Sequence, residues 1–240
     1  MEFKDIDDFT NTNEYYIYLD NLIIESIKYE KKLIHLLDEC IDGYTYNCAR
    51  LIFYLYKNKY VCGKLKNKLW FMFNKLKWQQ TELGPYKELS TNILYLFERY
   101  KKIKEKEYNE IINNKENYEN INIKSEEEYF NVFFEKIDNL ILKLKNVNFK
   151  ENVCKECLYL FYDDTFIHKL DKKYNLICFS NGILDIRNKS FRLGQKDDYI
   201  SLSIDINYEQ SNIENINNTI EKFIEFRNKI LIKRKPVYLF

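Results

Sequence analysis

Apolar positions recur at helical spacing through much of this chain. Tyr18, Leu22, Ile23, Ile27, Leu33, Leu36 and Leu37 predict one helix over residues 14–40, ended by Gly43. Cys48, Leu51, Ile52, Leu55 and Tyr56 predict a second over 46–57. The pattern then shortens. Tyr60-Val61-Cys62, Leu69 to Phe73 and Leu76-Lys77-Trp78 are brief aromatic runs divided by Asn, Lys and Gly. They predict a small antiparallel meander, closed by Gly84-Pro85. A helix follows over 86–112 on Leu89, Ile93, Leu96, Phe97 and Tyr100, with Ser90, Thr91 and Asn92 expected in solvent. Helices are predicted again at 126–145 and 149–162.

A second strand-rich patch comprises Leu176 to Phe179, Ile183 to Ile186, and Phe191-Arg192-Leu193, with Asn181-Gly182 as a hairpin turn at positive φ. Phe179, Ile183 and Phe191 are expected to pack on one hairpin face. Asp185 and Arg192 are expected to pair across it, unless Arg192 faces a phosphate. A last helix is read over 215–232, before the basic cluster Lys233-Arg234-Lys235-Pro236. The fold class is α+β, predominantly helical with two small antiparallel β-meanders. Residues 1–112 form a helical region with the first meander. Residues 113–125, within a stretch at 105–128 rich in Lys, Glu and Asn, are expected to form a mobile connection, with an exposed helical arm as the alternative. Residues 126–240 carry helices, the hairpin region 176–193 and the C-terminal helix.

Composition removes several classes. Aromatics make up 17% of the 240 residues, against the usual poverty of disordered chains. Five glycines and two prolines exclude collagen-like and linker-like sequences. No apolar run approaches the roughly 20 residues of a membrane helix, so no membrane partner is expected. The acidic start Met1-Glu2-Phe3-Lys4-Asp5 has no apolar signal region, and secretion is not expected.

The net charge of +1 conceals an asymmetry. Residues 1–56 hold five Lys/Arg against eleven Asp/Glu, a balance of −6. Residues 57–104 hold twelve against three, a balance of +9. A basic segment with interleaved aromatics is what a polyanion-binding surface looks like, although solvated lysine faces look the same. Lys64, Lys66, Lys68, Lys75, Lys77 and Arg192 are the candidate nucleic-acid contacts. Trp70 and Trp78 join them as stacking platforms, with a core position as the alternative.

Catalytic chemistry is sparse. There is no phosphate-cradling G-x-x-x-x-G-K-[ST] and no G-x-G-x-x-G. His35 and His168 are the only histidines. Asp5-Ile6-Asp7-Asp8 and Asp163-Asp164 read as a solvated end and a turn. The six cysteines, without a signal peptide, are expected as reduced thiols. Cys154-x-x-Cys157 lies at helical spacing with Leu158 and Phe161, so it reads as a buried face rather than a zinc site. No catalytic residue and no metal ligand is assigned.

Residues 174–208 carry the most specific pattern. Phe179, Asn181, Gly182, Ile183, Asp185, Ile186, Phe191, Arg192, Asp198, Tyr199, Ile200, Ser201 and Tyr208 match F-x-N-G-[VI]-x-D-[LI], a turn, F-R, then D-Y-[IV]-S and an aromatic. This resembles the region preceding the superfamily 3 helicase module in poxvirus-type and giant-virus primase–helicase proteins. A second stretch supports the resemblance through Tyr60, Val61, Cys62, Lys66, Trp70, Phe71, Phe73, Trp78, Leu89 and Ser90. The likeness covers roughly residues 40–230.

The resemblance implies a part in viral DNA replication, at a cytoplasmic or viral replication site in an infected cell. It implies single-stranded or forked DNA and helicase or primase subunits as partners, with a homo-oligomer as a further expectation. It implies ATP and Mg only where a separate helicase module supplies them. The expectation is a non-catalytic pre-helicase module, a truncated or split copy. The alternatives are an oligomerisation scaffold without nucleic-acid binding, or a degenerate remnant.

Overall fold

A computed structural model describes residues 12–113, 123–209 and 220–227. The acidic Asp5 to Asp8 stretch, most of the expected connection at 113–125, the flanks of the last helix and the basic tail at 233–236 lie outside the described residues.

The architecture is α+β and mostly helical, with two three-stranded antiparallel sheets. Helices α1 (Thr12–Tyr29), α2 (Lys31–Cys40) and α3 (Thr45–Tyr56) lead into sheet A. Its strands are β1 (Tyr60–Lys64), β2 (Leu69–Phe73) and β3 (Trp78–Thr81), in that order across the sheet. Helices α4 (Tyr86–Glu88), α5 (Leu94–Asn113), α6 (Ile123–Lys145), α7 (Val147–Leu160) and α8 (Phe166–Lys169) follow. Sheet B is β4 (Leu176–Phe179), β5 (Gly182–Asp185) and β6 (Ser190–Arg192), and a helix α9 covers 220–227.

The expected single helix over 14–40 is two helices. Glu30 leaves helical geometry at φ −97°, ψ 81°, and its carbonyl restarts the chain by accepting from Leu33 and Ile34. The reason is phase. Ile27 and Leu33 are six residues apart and cannot share one face of a straight helix. The break turns both toward the core, where they are buried.

The helix over 86–112 also departs from regularity. A π-helical turn, Leu89–Ile93, joins α4 to α5. It rotates Asn92 inward, against the expectation of solvent, and Asn92 is only 6% exposed. There its amide donates to Glu88 Oε2 at 2.9 Å and its carbonyl accepts from Tyr15 at 2.6 Å. Glu88, itself buried, also accepts from Tyr60 and Lys59. This network ties α1, β1 and the π turn together, and each added hydrogen bond offsets the cost of burying the carboxylate.

The main core lies between α2, α3, α5, α6, α7 and one face of sheet A. Helix α7 packs along α3. Cys157 and Phe161 sit in that core as the spacing predicts, while Cys154 and Leu158 pack at its margin. All six cysteines are free thiols. The opposite face of sheet A buries Phe71 and Trp78 against Phe166 of α8.

The two sheets meet edge to loop. The Trp78 amide donates to the Ile200 carbonyl at 2.7 Å. Gly194 lies on the Leu76 backbone, where an added Cβ would fall 2.6 Å from the Leu76 carbonyl carbon and 2.7 Å from its Cα. Neither atom can swing aside. Gly194→Ala is therefore expected to cost about 2–3 kcal/mol, near the upper end of what overpacking exacts. A lowered urea midpoint at unchanged m value is the check.

Candidate nucleic-acid interface

The basic segment at 57–104 is contiguous in sequence and divided in space. In an antiparallel meander, successive turns lie at opposite ends. Lys64 closes β1, and Lys66 and Lys68 occupy the β1–β2 turn. Lys75 and Lys77 belong to the β2–β3 turn at the other end. Five residues of β2 separate the two ends, roughly 17 Å at strand rise. The six lysine and arginine candidates therefore do not form one patch. Lys64, Lys66 and Lys68 are exposed, and no carboxylate among the described residues pairs with them. Lys68 takes the left-handed φ of 48° that turns the chain back into β2.

Both tryptophans are corrections to the stacking reading. Each is 3% exposed. Trp70 meets the Phe161 ring edge-on at 5.6 Å and packs against Gly84, whose φ of +54° and missing Cβ let the backbone lie on the indole. Trp78 contacts Phe166 at 4.9 Å and Phe73 at 5.4 Å, and its Nε1 donates to the Lys196 carbonyl at 2.8 Å. Neither ring has a face left for a base. The third strand is also shifted. Leu76 and Lys77 belong to the turn, because Asn74 Oδ1 accepts from both of their amides and closes the chain there.

Arg192 is engaged too, with a partner other than the one expected. Its two terminal nitrogens donate to the two oxygens of Asp198, each at 2.7 Å. Burial pushes the Asp198 carboxyl up, but Arg192 and the Gln195 amide outweigh it and hold the group below the ordinary carboxylate range. The same pairing raises the Arg192 pKa further. Asp185 instead closes the β5–β6 turn, accepting from Asn175, from the Arg187 and Asn188 amides and from the Asn188 side chain. The Asn175 bond leads in lowering its pKa.

The remaining motif residues build sheet B. The β4–β5 turn centres on Ser180-Asn181, with Phe179 opposite Gly182, and neither Asn181 nor Gly182 has positive φ. Gly182 is needed for room, since a Cβ there would strike the Phe191 ring and come within 2.9 Å of the Arg192 carbonyl oxygen. Asn181 clasps the Tyr208 backbone with both ends of its amide, at 2.8 and 3.0 Å. Phe191 then stacks on Tyr208 at 4.6 Å, and Phe179 meets that ring at 5.4 Å. Ile183 lies on the opposite face with Cys178 and Ile200, because successive strand residues alternate. Tyr199 adopts φ 53° between Asp198 and Ile200. Ser201 donates to Asp171 through its amide at 2.8 Å and through its hydroxyl.

The two recognisable stretches are therefore one structural unit, closed by the Trp78–Ile200 and Trp78–Lys196 bonds. A family model described as "D5 N terminal like" matches residues 49–231, which span both. The chain belongs to this family. Within the D5 N-terminal-like family, it is 29% identical over 205 residues to a protein of Acanthamoeba polyphaga mimivirus named as a helicase. That alignment covers 80% of this chain and 20% of the relative. A second relative, named as a helicase of Invertebrate iridescent virus 3, is 31% identical over 99 residues, covering 41% of this chain and 10% of its own length. The chain is thus similar to the N-terminal-like domain of viral primase–helicases and spans a fifth or less of these relatives.

In this member of the D5 N-terminal-like family the motif aspartates, glycine and asparagine do structural work. They hold loops in place and offer no free acid–base pair. Among the described residues there is no group of three or more His, Cys, Asp and Glu side chains arranged for a metal ion. No described helix is long and apolar enough to cross a membrane. The sequence reading missed Lys173 and Lys196, which lie far from the meander in the chain and beside it in space. It also missed the buried Glu88–Asn92 network. There the polar run Ser90-Thr91-Asn92 inside an apolar helix was the available signal.

Proposed function

We propose that this chain acts as a non-catalytic pre-helicase module in viral DNA replication, assisting a primase–helicase by holding single-stranded or forked DNA. The observation that supports the reading is the β1–β2 turn, where Lys64, Lys66 and Lys68 stand exposed without a carboxylate partner among the described residues. Such a turn attracts a phosphate backbone without reading bases. ATP hydrolysis belongs, on this reading, to a separate helicase module.

Fluorescence anisotropy with labelled single-stranded and forked DNA across a salt titration tests it. Binding is expected to weaken steeply with salt. The Lys64→Glu/Lys66→Glu/Lys68→Glu variant is expected to bind at least about tenfold more weakly, with the salt slope reduced by about 2 for three lost single-strand contacts. Absence of binding by the folded wild-type chain at low salt would overturn the reading.

An oligomerisation role is favoured by a different observation. Leu193 and Leu202 are 73% and 64% exposed beside the sheet junction. A defined oligomer in light scattering, without DNA affinity, would support that second reading.

A further inference from the structure

The junction of the two sheets gathers lysines from separate parts of the chain. Lys196 Nζ donates to Asn58 Oδ1 at 2.7 Å, which brings it beside Lys57. The Lys196 carbonyl receives the Trp78 indole N–H, which fixes the Lys196 backbone against β3. Lys77 Nζ donates to the Ser203 hydroxyl. Lys173 Nζ donates to the Asp197 carbonyl at 2.6 Å, placing a further ammonium one residue from Lys196 in the chain.

The acceptors share one property: an amide oxygen, a hydroxyl and a peptide carbonyl are all neutral. They orient the ammonium groups without cancelling their charge. Of the nearby acids, Asp198 is neutralised by Arg192, while Asp171 keeps its charge and is held by the Ser201 amide and hydroxyl. Asp197 is an exposed acid on the same loop and is outnumbered. Lys57, Lys173 and Lys196 are exposed, and Lys77 is half-buried.

From this geometry we infer a second phosphate-binding surface, formed by Lys57, Lys173 and Lys196 at the sheet junction. Its ligand is the phosphodiester backbone of a nucleic-acid strand. It lies at the end of sheet A opposite Lys64, Lys66 and Lys68, so one strand can touch both ends of the meander, roughly 17 Å apart. The inference rests on the DNA-binding reading above and adds a site that the meander's own sequence does not contain. Neutral acceptors preset the ammonium groups, so less side-chain freedom is lost when phosphate arrives. The surface carries no base-specific device, and its binding is expected to be independent of sequence.

The test is the same anisotropy titration with the Lys173→Gln/Lys196→Gln variant. Glutamine removes the charge, and the Lys196 carbonyl that receives Trp78 is backbone and stays. The urea midpoint is expected to match wild type. Affinity is expected to fall several-fold at 100 mM salt, and the salt slope by about 1.4, for two lost contacts. The single variant Lys57→Glu, at a side chain with no fold contact described, is the independent check and is expected to weaken binding in the same direction.

Failure of the two readings is distinguishable. If wild type binds, the turn variant loses binding, and both junction variants keep the wild-type affinity and slope, the junction surface is wrong and the turn reading stands. If folded wild type binds no DNA at low salt, the DNA-binding reading fails and takes this one with it.

Discussion

Trp70→Ala is expected to lower the unfolding free energy by about 3–5 kcal/mol, the range for deleting a buried large aromatic. The indole is 3% exposed and is held between Gly84 and the Phe161 ring. Those neighbours belong to different elements. Gly84 leads into α4, Phe161 follows α7, and Trp70 itself sits in β2. Alanine would leave a cavity that the surrounding helices can close only in part. A urea titration followed by circular dichroism reads the loss as a shifted midpoint at constant m. Trp70→Phe keeps most of the volume and is expected to lose distinctly less. A Trp70→Ala variant with wild-type stability and weakened DNA binding would instead restore the stacking role that its burial removes.

The second large effect is expected at Asp198. Asp198→Ala strands the Arg192 guanidinium and frees the Gln195 amide that the carboxylate accepts. Breaking a buried pair costs about 3–5 kcal/mol. Arg192 keeps 30% of its side chain exposed, so solvent recovers part of this, and about 2–4 kcal/mol is expected. A double-mutant cycle with Arg192→Ala isolates the pair, and a coupling energy of about 1–3 kcal/mol is expected. The pH dependence follows from the sign of the shift. The folded pKa of Asp198 lies below the ordinary carboxylate value, so the folded state binds its proton less readily than the unfolded chain does. The stabilisation is fully present above the unfolded carboxylate pKa and is lost as pH falls through the folded value. Asp198→Asn is expected to flatten that part of the stability–pH curve.

The second effect arises at the seam that closes the two family stretches on each other. Gly194 on Leu76, Trp78 on Lys196 and Ile200, and Arg192 on Asp198 all lie within it. Damage there is expected to loosen the attachment of sheet B to sheet A. The phosphate-binding surface inferred at the junction depends on that attachment, so affinity and stability are expected to fall together in Gly194 variants. In the Lys173→Gln/Lys196→Gln variant they are expected to part.

Periodicity is a local property, and it was enough to place most of the helices and both meanders. The spacing of Leu51, Ile52 and Leu55 specifies a buried face wherever the helix packs. The unbroken apolar run Leu69 to Phe73 specifies a strand with two covered faces, and both faces are packed. Motif spacing likewise identified residues 174–208, because Gly182 answers to Phe191 within sheet B and Asn181 to Tyr208 at the end of the same stretch. The break at Glu30 and the π turn at Leu89–Ile93 were less legible. Each corrects a phase error between apolar positions, and the correction depends on which neighbours receive them.

What the sequence by itself determined is the fold class, the family stretches and the presence of a strongly basic segment. Only the tertiary structure decided which charges lie near one another. Antiparallel turns carry Lys64, Lys66 and Lys68 to one end of sheet A and Lys75 and Lys77 to the other, while a contact between distant loops brings in Lys173 and Lys196. It also decided that Trp70 and Trp78 are core and that Arg192 belongs to Asp198. The physical reason is range. Backbone pattern follows from neighbours in the chain, whereas burial and charge pairing depend on neighbours in space, more than a hundred residues apart for Trp78 and Lys196.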